Sequence, residues 1–203
     1  MRNLTLLSAF LIVGLGVVES VSASVYPRQP ISISQTVINE ISESLSEPIR
    51  SDFQVLALMA FGKSTSPPSR SAPIYRVAYR PGRATYVSVI KSYASKNGLN
   101  VLYWETSVTK LVERETGGKF IVTLSMAKCK NKSIAPLYDV NFAHDGHVLD
   151  TYVFSEIGTV PITKGGIDDD MLSVVCGTTN EAEAVSDPLK DAAGLFGEYH
   201  SGT

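Results

Sequence analysis

From Leu99 onward the apolar residues of this chain recur with a period of two, and no other feature limits its fold as much. Successive side chains of a strand point to opposite faces, so a period of two marks a sheet with one apolar face. LNVLYWETSVTKLVERE, residues 99–115, reads as a long strand or a strand with a bulge. Thr116-Gly117-Gly118 is a turn. KFIVTLSMAKC then places Phe120, Val122, Leu124 and Met126 on one face. Cys129 has the opposite parity, so it lies on the other face or a bulge intervenes.

YDVNFAHDGHVLDTY, residues 138–152, carries the pattern through a hairpin. With Asp145-Gly146 as a two-residue type I′ turn, His144 opposes His147, Phe142 opposes Leu149, Val140 opposes Thr151 and Tyr138 opposes Val153. The other face pairs Ala143 with Val148, Asn141 with Asp150 and Asp139 with Tyr152, and is more polar. The turn explains the Asp and the Gly without chemistry. It also sets two imidazoles side by side, with Cβ atoms about 5 Å apart. His144, His147 and Asp145 are therefore the candidate ligand or metal residues. Zinc takes three or four protein ligands, so this set is short, and the hairpin is the simpler reading. No cofactor is expected.

Ahead of these strands, IYRVAYR, residues 74–80, alternates and reads as a strand that Pro81-Gly82 breaks. ATYVSVIKSYASKNG follows. Tyr86, Val87, Ile90, Tyr93 and Ala94 fall on one helical face and Ser88, Lys91, Ser92 and Ser95 on the other, which predicts an amphipathic helix stopped at Asn97-Gly98. After the hairpin come a Lys164-Gly165-Gly166 turn, an Asp168-Asp169-Asp170 run and a last strand, MLSVVC. The Asp run lacks the alternating spacers of a calcium loop and reads as a solvated loop. Residues 74–177 thus give an α+β domain, an antiparallel sheet of about four to five strands packed on one main helix. This order resembles the cystatin-like roll, and the 138–152 hairpin looks like that of secreted PepSY-type domains. A cystatin-type protease inhibitor would carry a Q-x-V-x-G loop. The corresponding turn here reads ETGGK, Glu115 to Lys119, so no inhibitory residues carry over.

The N-terminus has its own signature. A basic Met1-Arg2, the apolar run LTLLSAFLIVGLGVV and the small-residue site Val21-Ser22-Ala23 form a signal-peptide pattern over residues 1–23. The run is shorter than the ~20 residues that span a bilayer. Residues 24–62 are a leader and a helical arm. Ser34 precedes Val37, Ile38, Ile41 and Leu45 at helical spacing. Ser51 and Gln54 fit a capping box, and FQVLALMAF runs to Gly62 as a helix, with a buried strand as its rival. Residues 63–73 form a Ser/Pro-rich linker. Residues 178–203 read as a weakly ordered tail, with room for a short helix around 188–196.

Export brings an oxidising compartment, where Cys129 and Cys176 form one bridge. The rival readings are two free thiols or a catalytic Cys. Net charge is −2 with no basic stripe, which leaves nothing to neutralise a nucleic-acid backbone. There is no G-x-S-x-G elbow, H-E-x-x-H pair or phosphate-cradling glycine loop. Glu113 and Glu115 share a strand face, but Lys110, Arg114 and Lys119 make that an ordinary charged surface. Tyr and Trp are enriched at recognition surfaces, and Tyr103 and Trp104 alternate faces, so one of them is a candidate recognition residue. These features lead to a secreted, non-enzymatic binding or inhibitor-like module with a protein partner, acting through its sheet face or N-terminal arm. A small hydrolase using a hairpin histidine and a self-associating envelope protein are the alternatives.

Overall fold

The computed structural model describes residues 33–62, 72–109, 118–143, 146–155, 157–179 and 182–198. One antiparallel sheet dominates it. Its strands are β1 (Ile74–Arg80), β2 (Arg83–Ser95), β3 (Gly98–Thr109), β4 (Gly118–Lys128), β5 (Ser133–Ala143), β6 (Val148–Val153), β7 (Val160–Pro161) and β8 (Glu183–Val185). They run in the order β6-β5-β4-β3-β2-β1-β8, with β7 beside β5. The described residues also form four short helices: α1 (Gln35–Ser44), α2 (Ile49–Phe61), α3 (Ile167–Val175) and α4 (Pro188–Glu198).

This architecture corrects the four-to-five-stranded sheet on one main helix, and with it the cystatin-like roll. The segment expected as the helix is β2, hydrogen-bonded to β3 along its length and to β1 over residues 83–88. Two features disguised it. A bulge between Val89 and Lys91 shifts its parity midway, so a period of two imitates a helical one. Ala84, Thr85, Tyr86 and Val87 are all buried, because both sheet faces are covered there. Its composition favours the pleated surface: Thr, Tyr, Val and Ile lose rotamer freedom in a helix and pack well in sheets.

MLSVVC is the second correction. It belongs to α3, whose buried residues Met171, Leu172 and Val175 recur at helical spacing. The Asp168-Asp169-Asp170 run is its first turn, where the helix dipole favours negative charge. Asp169 Oδ2 also accepts a hydrogen bond of 2.9 Å from the Gly165 N–H.

The helical arm is part of the core. Ile41, Leu45, Phe53 and Leu56 form one buried cluster with Tyr86, Leu102, Trp104, Leu124, Met126 and Phe142 of the sheet. Ser34, just ahead of the helical pattern, caps α1, its Oγ accepting from the Val37 N–H at 3.3 Å. The Ser51–Gln54 capping box does not form, because α2 starts two residues earlier, at Ile49. Ser51 donates instead to Glu47, and Gln54 to the Ser42 hydroxyl at 2.9 Å. Asp52 and Lys128 tie α2 to β4 at 3.1 Å, with each side chain 11% exposed.

The described part of the C-terminal stretch is also packed. β8 pairs with β1. Asp187 caps α4 by accepting from the Leu189 and Lys190 N–H groups at 3.0 and 3.1 Å. Asp191 then receives the Arg76 guanidinium at 2.9 Å and the Tyr86 hydroxyl at 2.8 Å. These hydrogen bonds place Leu189 and Ala192 in the same core as the arm.

The first sheet face is thus covered by α1, α2 and α4. The second carries a smaller core of Val87, Val101, Tyr103, Ala127 and Ile134 beneath α3. Cys129 and Cys176 border it with Sγ atoms 2.01 Å apart, joining the end of α3 to the β4–β5 turn.

Candidate functional site

Helix α3 packs against β1 and β2, and the second sheet face beyond it is polar. Strand register builds a row across it. Val87 pairs with Glu105, Glu105 with Thr123, Thr123 with Asp139, and Asp139 with Tyr152. Directly paired residues of antiparallel strands share a face. A neighbouring row runs Thr85, Ser107, Ile121, Asn141 and Asp150. Apart from Val87 and Ile121, these two rows are filled by acids, hydroxyls and an amide.

Two acids of the first row, Glu105 and Asp139, are held partly protonated by burial. The Glu105 side chain is 17% exposed. Burial raises its carboxyl from 4.5 to about 7; Arg83 opposes the rise, while Asp168 and Asp139 add to it. Arg83 stands 3.8 Å from Glu105 and donates from Nε to the Ser107 hydroxyl at 3.2 Å. Asp139 is also held above the usual carboxylate range. Burial is the main cause and the Asp150 charge adds to it, while the Thr123 hydroxyl, donating at 2.6 Å, works the other way. Asp150 accepts from the Asn141 amide.

Two hydroxyls on this face are buried without a hydrogen-bond partner, those of Tyr103 and Thr85. Ser125 faces Tyr103 across the β3–β4 register without closing a bond of normal geometry. Burial, then the Glu105 and Asp168 charges, push the phenol up, while the Ser125 hydroxyl beside it works the other way. Buried polar groups are ordinarily paired, so these are exceptions, and both flank Glu105.

Cys129 and Cys176 are brought to bonding distance. Tyr103 is fully buried, and Trp104, on the opposite face, is 9% exposed. They do alternate, yet neither offers an open recognition surface, because both sheet faces are covered at that point. Of the hairpin residues, His144 and Asp145 lie outside the described residues, as do Glu113 and Glu115. The hairpin register holds from Tyr138–Val153 through Asn141–Asp150 as expected. A bulge then pairs Phe142 with Val148, correcting its pairing with Leu149. The Ala143 N–H donates to the His147 carbonyl at 2.9 Å, so Ala143 faces His147 at the mouth of the turn, correcting the pairing of Ala143 with Val148. Among the described residues, no three His, Cys, Asp or Glu side chains converge as metal ligands would.

Sequence reasoning passed over Glu105, Thr123 and Asp139 as a group. Parity does put each on the polar side of its own strand. Only the register across β3, β4 and β5 aligns them. A separate cleft of about 420 Å³ lies between β1, β2 and the end of α3, lined by residues including Tyr75, Val89 and Val174. It holds no carboxylate. The chain matches no protein-family model, no curated protein and no solved structure.

Proposed function

We propose that this chain is an exported, non-enzymatic binding module that engages a protein partner through the open half of its second sheet face. The observation that carries this reading is the row Glu105–Thr123–Asp139–Tyr152. Two of its members are acids partly withdrawn from water, and the nearest cation of the face, Arg83, stays 3.8 Å from one of them. A face with only a structural role would be apolar under cover or fully solvated in the open. Burying charge without a close partner costs stability, and a surface kept for recognition accounts for that cost.

Export is supported by the 1–23 signal pattern and by two cysteines at bonding distance, a state that oxidising compartments favour. No helix among the described residues is long and apolar enough to cross a membrane. The N-terminal arm is committed to the core, so the sheet face is the better of the two candidate surfaces.

A photo-reactive residue at Ser107 or Ile121 reports on this face, and one at the exposed Asn39 of α1 serves as control. Incubated with secretions of the source, the Ser107 and Ile121 versions are expected to trap one product of common mass that the Asn39 version does not. Equal trapping from all three positions, or trapping from Asn39 alone, overturns the reading.

A further inference from the structure

We propose that Asn131 is a site of N-linked glycosylation, taking an oligosaccharide from a lipid-diphosphate donor. The inference rests on the reading of the chain as exported and adds a covalent modification to it.

The motif is local. Asn131-Lys132-Ser133 is an Asn-x-Ser acceptor sequence whose middle residue is not proline. Another, Asn3-Leu4-Thr5, lies inside the 1–23 signal pattern and leaves with it. Residues 24–203 therefore carry one acceptor.

The structure adds an independent observation. A glycan is bulky and solvated, so its acceptor has to stand at the surface. Residues 129–132 form the tight turn between β4 and β5. The Asn131 N–H donates to the Lys128 carbonyl at 3.2 Å, and the Lys132 N–H to the Cys129 carbonyl at 3.4 Å. Asn131 and Lys132 are both exposed. Asparagine ordinarily serves a turn by bonding nearby backbone through its side chain or by tolerating the left-handed region. Here the Asn131 side-chain amide has no hydrogen-bond partner among the described residues. The left-handed position, at φ 46°, falls to Lys132 instead. The turn thus makes no use of the amide, which is left free to be modified.

The position also suits the binding face. Asp139 lies six residues beyond Ser133 along β5, about 20 Å at roughly 3.4 Å per residue. A glycan on Asn131 stands at the bridged end of the sheet and leaves the open half of the second face clear.

In the transfer, the Asn131 amide nitrogen attacks C1 of the donor's first sugar. An N–C1 bond forms and the C1–O bond to the diphosphate breaks. The lipid diphosphate leaves, and the amide gives up one proton. The motif needs the Ser133 hydroxyl as well as the amide, and folded Ser133 is only 5% exposed. Transfer therefore precedes closure of the hairpin. Synthesis leaves time for it. Cys176 follows Cys129 by 47 residues, which at about 5–20 residues per second takes roughly 2 to 9 s to make.

The test is mass spectrometry of the chain recovered from secretions of its source, before and after peptide-N-glycosidase. The expected chain starts near residue 24 and is heavier than the bare polypeptide by one oligosaccharide. The enzyme removes that excess and converts Asn131 to an aspartate, which the peptide spanning the turn records. In chains secreted from a eukaryotic host, Asn131→Gln and Ser133→Ala each lose the excess, and Ser133→Thr keeps it. Asn131→Gln changes an exposed side chain without a partner, so it folds as the parent does. A secreted chain that starts near residue 24 with Asn131 unmodified overturns the proposal and leaves export standing. A chain that keeps residues 1–23 and is absent from the secretions overturns both. An excess mass that persists in Asn131→Gln overturns the assignment to this residue.

Discussion

Replacing Glu105 by Gln is expected to stabilise the protein at pH 8 and leave it nearly unchanged at pH 4. The carboxyl moves from 4.5 in the unfolded chain to about 7 in the folded one. Between those values the folded state binds more protons than the unfolded state, so stability falls as pH rises through that window. Below pH 4.5 both states are protonated and the residue costs nothing. Above pH 7 both are ionised and the full cost is present. At about 1.4 kcal/mol per pH unit, the span sets an upper figure of about 3.5 kcal/mol. Gln keeps the shape and carries no charge, so it removes that cost. The substitution also removes the ion pair with Arg83, which is long and half-exposed and contributes little. Urea unfolding at pH 4, 6 and 8 reads the effect directly. With a slope of about 2 kcal/mol per molar urea, the variant's midpoint at pH 8 should lie about 1 to 2 M above that of the parent. The raised Asp139 carboxyl bends both curves the same way, so the difference between them isolates Glu105. A variant that is less stable than the parent at pH 8, or whose difference does not grow from pH 4 to pH 8, refutes the picture of a carboxyl strained by burial.

Three further outcomes follow from the packing. Changing Cys129 and Cys176 together to Ala should cost about 3 to 4 kcal/mol, since the bridge closes a loop with a sequence separation of 47; urea unfolding under non-reducing conditions measures it. Phe53→Ala should cost about 3 to 5 kcal/mol because the ring is fully buried against the sheet, and a loss under 1 kcal/mol would mean that the arm folds apart from it. Asp191→Ala should cost about 2 to 3 kcal/mol by stranding the buried Tyr86 hydroxyl and leaving Arg76 with Glu183 alone, with hydrogen exchange in α4 rising faster than in β3.

How much of this was legible in the sequence depends on how one-sided each strand is. β4 and β5 could be read because Phe120, Val122, Leu124 and Met126 face the arm while Ile121 and Thr123 do not, so the period of two survives. β2 could not, because α2 and α3 cover it from both sides and a bulge breaks its parity. α3 was hidden for the opposite reason. Its nine residues hold only two turns of apolar pattern, and SVV looks like strand until the Asp run is recognised as a helix start. The Cys129–Cys176 pairing needed only a count of two. The candidate site needed more, because Glu105, Thr123 and Asp139 are ordinary one by one. Their meaning comes from alignment across three strands, and hairpin turns set that alignment less surely than the hydrophobic pattern does: the 138–153 hairpin kept its inner register, while a bulge shifted its outer one.

The uneven covering of the second face follows from the same balance. Residues 87, 101, 103, 127 and 134 bury α3, and the bridge fixes the end of that helix to the sheet. A longer apolar patch would extend that core along β3, β4 and β5, yet the chain places Glu105, Thr123 and Asp139 there. The sheet does not need those side chains for its stability. The opposite face already buries Tyr86, Phe120, Leu124 and Met126 under three helices, and each apolar side chain of that size contributes about 1.5–3 kcal/mol. A single Glu105 carboxyl costs at most about 3.5 kcal/mol by comparison. One strongly packed face therefore leaves the other free to hold desolvated acids.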